Sequence, residues 1–279
     1  MTLSAHQLTL GYPGRTVLHG IDLEIPAGQI TAVVGPNACG KSTLLRALAG
    51  ITRPSGGQVL LDGAALTDIP PKRLARRIAL LPQSPPVPAG ISVEALVRRG
   101  RHPHQRWLTP WSAGDQQAVD AALARTGLED LRTRPLDRLS GGQRQRAWVA
   151  LALAQDTEYL LLDEPTTFLD LRHQLDLLTL VAELNALDDR TVVLVLHDLA
   201  QAGRYAHHLV VVADGRIAAA GPPAEVLTED LVETVFDVAC RIMPDPTSGS
   251  PLVLPLPARE HAQPLGVPAS PPPKEKEQR

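Results

Sequence analysis

The chain has 279 residues, of which 44% are hydrophobic and 20% are charged, so it is long and apolar enough to bury a large core. A net charge of −3 and a pI of about 6.3 argue against a protein that works mainly on nucleic acid, and no nucleic-acid partner is expected. Two cysteines are too few for a disulfide framework or a zinc site, and they favour a reducing cytoplasm.

The first half of the chain predicts strands around one loop and one helix. The N-terminal 30 residues predict short antiparallel strands that turn between Gly11 and Gly14. Residues 30–34 read ITAVV, a continuous apolar run that is typical of a buried parallel strand. A glycine-bounded loop and a helix over 41–49 come next, and two further strands are predicted in QVLLDG and IALLPQ.

The second half of the chain predicts helices first and strands afterwards. Helices are predicted in VEALVRRG, DQQAVDAALARTG and GGQRQRAWVALALAQ, and apolar strands return at 160–162, 192–196 and 209–213. This order predicts one α/β domain over 1–243, with a mainly parallel core sheet, an N-terminal antiparallel β subdomain and a helical subdomain at about 84–155. Residues 244–279 form a C-terminal extension that is rich in proline, and from about residue 257 it is expected to be disordered.

A phosphate-binding loop follows the first buried strand. It reads GPNACGKST and fits G-x-x-x-x-G-K-[ST], with a strand before it and a helix after it. Backbone N–H groups of such a loop surround phosphates, the lysine reaches the β- and γ-phosphates, and the serine hydroxyl binds Mg²⁺. Nucleotide contacts are therefore expected from nine residues: Gly35, Pro36, Asn37, Ala38, Cys39, Gly40, Lys41, Ser42 and Thr43.

Three other strands end in polar residues that suit the same site. YLLLDEP ends in Asp163, predicted to bind Mg²⁺, and in Glu164, predicted to orient and deprotonate the attacking water. His197 follows TVVLVL and is either a turn residue or a hydrogen-bond partner of the γ-phosphate. Gln83 follows IALLP and is able to bind water or the metal.

A second glycine pair lies in LSGGQ, where a helix is predicted to begin. Ser140 and Gln143 have the spacing of a capping box, in which each side chain satisfies an unpaired amide at the helix end. A capping box does not explain Gly141 and Gly142, because each glycine disfavours the helix by about 1 kcal/mol relative to alanine. A phosphate that approaches the exposed amides would explain all four residues.

Together these pieces resemble the ATP-binding subunit of ABC transporters, over about residues 2–254. The resemblance rests on seven motifs in order: the A-loop Tyr12, Walker A at 35–43, the Q-loop Gln83, the signature LSGGQ at 139–143, Walker B with Asp163 and Glu164, the D-loop Asp170 and the switch His197.

That family resemblance implies a P-loop NTPase fold with ATP and Mg²⁺ as cofactors. It implies catalytic roles for Glu164, His197 and Gln83, a share of Gln83 in the metal site, and nucleotide contacts from Tyr12 and Asp170. It also implies a head-to-tail dimer with a second, identical subunit. In that dimer the serine and glycines of LSGGQ bind the γ-phosphate held by the Walker A loop of the other subunit.

Finer features resemble the importer ATPases for ferric siderophores, haem and cobalamin. These features are GRHPH at 100–104, PTTFLD at 165–170 and DPTSGSPLVLP at 245–255. They imply the energy-coupling ATPase of an importer, first for ferric siderophores and alternatively for cobalamin or haem. The implied partners are two membrane permease subunits and, indirectly, a substrate-binding protein, which would hold this chain at the cytoplasmic face of the cell membrane.

Three rival classes fit the sequence less well. ABC ATPases of DNA repair or chromosome maintenance carry long coiled-coil insertions, and ABC translation factors normally carry two ATPase halves, whereas this chain has one Walker A motif and no such insertion. A P-loop kinase has no role for LSGGQ or His197.

Two loop residues carry separate expectations. Ala38 stands where the family usually has glycine, and if that position needs a positive φ, alanine is strained by about 1 kcal/mol. Cys39 lies beside Lys41 and a helix N-terminus, both of which favour a thiolate, so a lowered pKa is predicted.

Overall fold

The computed structural model describes residues 2–83, 90–105, 111–167 and 169–257, which form twelve strands and nine α-helices. The strands are β1 (Leu3–Tyr12), β2 (Arg15–Ile25), β3 (Ile30–Val34), β4 (Gly56–Leu61), β5 (Ala64–Ala65), β6 (Ile78–Leu81), β7 (Tyr159–Asp163), β8 (Thr191–Val195), β9 (His208–Ala213), β10 (Arg216–Gly221), β11 (Cys240–Pro244) and β12 (Pro251–Pro255). The helices are α1 (Lys41–Leu48), α2 (Pro71–Leu74), α3 (Val93–Arg98), α4 (Ala113–Arg125), α5 (Gly141–Ala154), α6 (Leu171–Asp188), α7 (Leu199–Tyr205), α8 (Pro223–Val226) and α9 (Glu229–Phe236).

A six-stranded sheet forms the centre of the protein, in the order β10-β9-β3-β8-β7-β6. The five strands from β9 to β6 run parallel, and β10 pairs antiparallel with β9 at one edge. Strands β3, β7 and β8 are buried at every residue, as their continuous apolar sequences predict. The mainly parallel core sheet predicted from the sequence is confirmed.

Both faces of this sheet are covered, and each strand contributes side chains to two cores. On β3, Ala32 and Val34 pack into a core that α3, α4, α5 and α6 complete. Val33 points the other way, into a core shared with α1 and the N-terminal strands. Because the parallel strands end at one edge, the residues that follow β3, β6, β7 and β8 meet there.

A separate antiparallel sheet lies at the N-terminal end, in the order β2-β1-β4-β5. Strands β1 and β2 form a long hairpin that turns at Pro13 and Gly14. Strand β4 comes from beyond α1 and pairs antiparallel with β1, from Leu3 opposite Leu61 to Thr9 opposite Gly56. The predicted N-terminal antiparallel β subdomain is therefore confirmed, with a third and a fourth strand added from later in the chain.

Helices α3, α4 and α5 pack on one another after β6, in the region predicted to be helical. Residues 84–89 and 106–110 of that region lie outside the described residues. A buried ion pair joins its parts: Arg101 Nε donates to Asp115 Oδ1 at 2.9 Å, and Arg101 Nη1 donates to the Ala154 carbonyl at 2.9 Å. The pair ties the segment after α3 to α4 and to the end of α5.

The last two strands, β11 and β12, form a hairpin in which Cys240 pairs with Pro255. Strand β11 runs through residues 243 and 244, so the hairpin crosses the domain boundary that the sequence suggested there. Strand β12 packs on α7 of the domain, where Pro251 lies against Gly203. The tail from 258 to 279, including most of the segment expected to be disordered, lies outside the described residues. Among the described helices, none is both long and apolar enough to cross a bilayer.

Candidate functional site

The phosphate-binding loop joins β3 to α1 at the carboxyl edge of the central sheet. Lys41, the first residue of α1, is buried, and its Nζ donates to the carbonyl oxygens of Gly35 at 2.9 Å and Pro36 at 2.7 Å. Gly40 precedes the helix with φ of 110°, a left-handed conformation that glycine adopts without strain. The ammonium group therefore lies folded into the loop, held by two carbonyls that a bound phosphate would replace as its partners.

Ala38 has a φ of 61°, so the alanine of this loop does adopt the left-handed conformation. Its Cβ makes that conformation about 1–2 kcal/mol less favourable than it would be for glycine. The strain foreseen for Ala38 is therefore present in the loop backbone.

Cys39 is the next residue of the same loop, and it is 8% exposed. Burial raises the pKa of the Cys39 thiol, and the charge of Lys41 only partly opposes that rise. The prediction of a lowered pKa is wrong, because the loss of hydration outweighs the nearby ammonium group.

Ser42 and Asp163 meet across the sheet edge, where the Ser42 hydroxyl donates to Asp163 Oδ1 at 2.8 Å. The other carboxylate oxygen, Asp163 Oδ2, is buried and has no hydrogen-bond partner among the described residues. Burial raises the pKa of Asp163, the bond from Ser42 opposes the rise, and the neighbouring Glu164 adds to it. A half-buried hydroxyl beside a buried carboxylate with one unpartnered oxygen is a donor set that fits Mg²⁺.

Glu164 lies next to Asp163 and is the centre of a hydrogen-bonded cluster. Its Oε2 atom accepts from Thr167 Oγ1 at 3.2 Å and from Gln83 Nε2, and it lies 2.8 Å from His197 Nε2. Glu164 also has a φ of 50°, an unusual conformation for a residue with a Cβ. The three predicted residues Gln83, Glu164 and His197 thus come together at one carboxylate oxygen. Sequence reasoning missed Thr167, whose only signal was its place three residues after Glu164.

Tyr12 ends β1, and its side chain is 48% exposed. A cavity of about 660 Å³ lies alongside the phosphate loop, between β2 and the β9–β10 turn. Its lining includes Arg15, Val17 and Asn37. Tyr12 does not itself line this cavity, but it pairs across the hairpin with Arg15, which does, so its exposed ring offers a nearby stacking surface for a planar base.

The LSGGQ segment begins α5, with Ser140 as the N-cap. The capping box is present in full: Gln143 N donates to Ser140 Oγ at 3.2 Å, and Ser140 N donates to Gln143 Oε1 at 3.1 Å. The two glycines differ from each other. A Cβ at Gly141 would have no neighbour within 4 Å, whereas a Cβ at Gly142 would lie 2.6 Å from His173 Cδ2.

Packing inside the chain therefore accounts for Gly142, a reason that the sequence did not reveal. Gly141 is exposed, and nothing in the described part of the chain requires a glycine there. The expectation that one approaching phosphate explains both glycines needs this correction, and it now rests on Gly141.

Asp170 is the N-cap of α6, and its Oδ1 accepts from the His173 backbone N–H at 2.9 Å. Asp170 and the LSGGQ segment form one group, joined through His173. The phosphate loop with Asp163, Glu164, Gln83 and His197 forms another group. Within the described ranges, no side-chain hydrogen bond joins the two groups.

The chain is similar to known proteins over most of its length. The family model described as "ABC transporter" matches residues 18–167. The Bacillus subtilis protein YusV, described as a probable siderophore transport system ATP-binding protein, is 52% identical over 91% of this chain and 92% of its own length. The ferric enterobactin transport ATP-binding protein FepC of Escherichia coli is 50% identical over 91% of this chain and 94% of its own length.

A cobalamin import ATP-binding protein, BtuD of Halobacterium salinarum, is 43% identical over 94% of this chain and 65% of its own length. Among solved structures, an inward-facing ABC transporter assigned to the metal-chelate type matches with a TM-score of 0.79 and 30% identity, over 91% of this chain and 97% of that chain. A bacterial ABC transporter cassette solved as a dimer matches with a TM-score of 0.71 and 26% identity, over 79% of this chain and 98% of that chain.

Proposed function

Because this chain belongs to the ABC transporter family and is an ATP-binding, ATP-hydrolysing subunit within it, we propose that it drives the import of ferric siderophores. The observation that carries the substrate class is the pair of siderophore-related proteins at 52% and 50% identity, each matched over more than nine-tenths of its length. The cobalamin import protein is less similar, at 43% identity, and the match covers 65% of its length. Cobalamin and haem are therefore the alternatives, and an ABC ATPase outside transport ranks below them.

ATP is the substrate, and the loop at 35–43 is the proposed phosphate site. Lys41 Nζ would exchange its two carbonyl partners for β- and γ-phosphate oxygens, gaining a charge-assisted bond. The amides at the start of α1 would add hydrogen bonds and the positive end of the helix dipole. Tyr12 would stack on the adenine, since its ring is exposed at the end of β1.

Mg²⁺ is the proposed cofactor of this site, and Ser42, Asp163 and Gln83 are the proposed ligands. When bound, the ion supplies positive charge to the phosphate oxygens. The support from this chain is the Ser42–Asp163 bond of 2.8 Å and the unpartnered Asp163 Oδ2. Burial raises the pKa of Asp163, and the charges of Arg46 and Lys41 only partly offset that rise, so a cation bound at this position would stabilise the ionised form.

Glu164 is the proposed general base. It would hold the attacking water and accept its proton as the water oxygen bonds to the γ-phosphorus and ADP leaves. Its Oε2 is held by His197, Thr167 and Gln83, so these residues orient the carboxylate. We propose that His197 and Gln83 shift from Glu164 toward the γ-phosphate and the metal when nucleotide binds.

The working unit is proposed to be a head-to-tail pair of identical chains with two ATP molecules between them. In this pair Ser140 and Gly141 of one chain bind the γ-phosphate on the partner's phosphate loop. Both residues are exposed, and no packing contact among the described residues requires a glycine at position 141. Two permease subunits, bound through the Q-loop and the helical region, would hold this pair at the cytoplasmic face of the membrane, with a binding protein delivering the chelate.

Deletion of the gene in its own organism tests this function. The deletion strain is expected to lose growth on a ferric siderophore as sole iron source and to regain it with ferrous iron. Wild-type protein should restore uptake of radiolabelled ferric siderophore, and the matched Glu164→Gln protein should not. If labelled siderophore uptake is normal while cobalamin or haem uptake collapses, the substrate class is wrong and the alternative replaces it.

A further inference from the structure

His173 lies on the first turn of α6, between Asp170 and the LSGGQ segment. One edge of its imidazole faces Asp170: Nδ1 lies 2.6 Å from Asp170 Oδ1. The bonds with His173 lower the pKa of the Asp170 carboxyl, so the carboxylate accepts and Nδ1 carries the hydrogen. The same Oδ1 also accepts the His173 backbone N–H at 2.9 Å, which is an ordinary helix cap.

The opposite edge of the same ring lies against the first turn of α5. A Cβ added at Gly142 would come within 2.6 Å of Cδ2, 2.8 Å of Cγ and 3.1 Å of Nε2. Distances of this kind leave no space for a side chain at position 142, and Gly142 is itself buried. The imidazole therefore lies between Asp170 and the helix that LSGGQ begins, in contact with both.

The residues on either side of this ring are exposed. Asp170 has a side chain that is 66% exposed, and Leu171 next to it is 69% exposed. Ser140 and Gly141 are exposed at the N-terminus of α5. These exposed groups are open to the partner subunit of the proposed dimer.

We propose that His173 is a positioning residue that holds Asp170 and the LSGGQ turn at one fixed spacing, so that both engage the partner subunit's nucleotide site together. The inference rests on the proposed head-to-tail dimer. A helix cap alone needs only the backbone N–H of residue 173, so the ring is not required for α6 to begin. What the ring adds is a contact between the first turns of α5 and α6, two helices whose buried faces share one core.

The test uses full-length protein with Glu164→Gln, the change expected to keep ATP bound. Dimerisation with ATP is measured by sedimentation, and nucleotide affinity is measured on the monomer with a fluorescent ATP analogue. His173→Ala should weaken dimerisation by about tenfold or more while nucleotide affinity stays unchanged. The matched control is Glu183→Ala, an exposed residue on the same helix, which should change neither quantity.

The outcomes separate this inference from the function that it rests on. If the Glu164→Gln parent fails to dimerise with ATP, the proposed dimer is wrong and the role of His173 falls with it. If the parent dimerises and His173→Ala dimerises equally well, only the positioning role is overturned.

A double-mutant cycle keeps the inference testable if His173→Ala also lowers stability. Gly142→Ala alone should displace the ring and weaken dimerisation, because the new methyl group occupies its space. In His173→Ala the space is empty, so adding Gly142→Ala should cost little more. Fully additive effects of the two changes on dimerisation would contradict the contact and overturn the proposal.

Discussion

Three side chains of the site meet at a single oxygen atom of Glu164. Oε2 accepts from Gln83 and Thr167 and lies 2.8 Å from His197 Nε2, so three side chains fix the position of this carboxylate. A base must also have a free position for the proton that it takes. Oε1 accepts no side-chain hydrogen bond among the described residues, so it is the oxygen open to that proton while Gln83 and Thr167 hold Oε2.

Substitutions at Lys41 and Glu164 should separate nucleotide binding from hydrolysis. Lys41→Ala removes the positive charge that would face the β- and γ-phosphates, so it should weaken both nucleotide binding and hydrolysis. Glu164→Gln keeps the shape of the pocket and should retain ATP binding while turnover falls by about 10²–10⁴-fold, the usual contribution of a general base. Equilibrium binding and phosphate release measure the two effects. Near-normal turnover by Glu164→Gln would remove Glu164 from the role of base.

Cys39 should be a slow thiol despite its position in the phosphate loop. Because burial raises its pKa, the reactive thiolate is scarcer at pH 7 than for an ordinary cysteine. A thiol with a raised folded pKa favours the folded state below its ordinary pKa of about 8.5, and that contribution is lost as the pH rises through the folded value. Maleimide labelling followed by mass spectrometry should be slow at pH 7 and faster above pH 9. Rapid labelling of Cys39 at pH 7 would contradict the burial argument.

Among the elements, the helical region depends on a buried ion pair. Arg101 and Asp115 each have side chains only 9% exposed. Arg101→Met should lower the free energy of unfolding by about 3 kcal/mol, because it leaves a buried carboxylate without its partner. Arg132→Met is the matched control, since its pair with Asp120 is 37% and 49% exposed and contributes at most about 1 kcal/mol. Urea unfolding compares the two, and equal losses would show that burial of the pair does not matter.

The same ion pair sets a pH dependence. Burial opposes ionisation of Asp115, but hydrogen bonds from Ser112 and Arg101 outweigh it and lower its pKa to about 2. A carboxyl with a lowered folded pKa stabilises the fold above its ordinary pKa of about 3.9, and the contribution is lost as the pH falls toward 2. The difference between wild type and Arg101→Met should therefore shrink between pH 4 and pH 2.

Local patterns in the sequence predicted the elements that depend on neighbouring residues. Continuous apolar runs identified β3, β7 and β8, and the loop at 35–43 followed from residue spacing alone. The pairing of β4 with β1 and the packing of the β11–β12 hairpin on α7 depend on contacts between distant parts of the chain, and periodicity carries no information on them.

The same limit applies to the site. Gly142 has a reason that lies in His173, 31 positions later, and no spacing rule connects the two. The predicted direction of the Cys39 pKa shift was wrong because the sequence reveals the neighbouring charge but not the depth of burial.

At the scale of the whole molecule, one chain holds two separate groups of predicted site residues. The phosphate loop with its carboxylates forms one group, and the LSGGQ turn with Asp170 forms the other. No side-chain hydrogen bond joins the two groups within the described part of the chain, and the exposed LSGGQ turn carries a full capping box. In the proposed function, a partner chain brings one group of each kind together.

Mixed dimers of two inactive variants test this claim most directly. Lys41→Ala damages its own phosphate loop and keeps an intact LSGGQ turn, whereas Ser140→Arg places a bulky cation in the turn and keeps an intact loop. Differently tagged variants are mixed, and ATP-dependent closure of the mixed dimer is measured by energy transfer, with hydrolysis as a second readout. The account predicts that mixed dimers close where neither parent does, because one of their two sites combines intact Lys41 with the partner chain's intact Ser140. Mixed dimers that close no better than either parent would contradict it and leave Ser140 and Gln143 as a capping box alone.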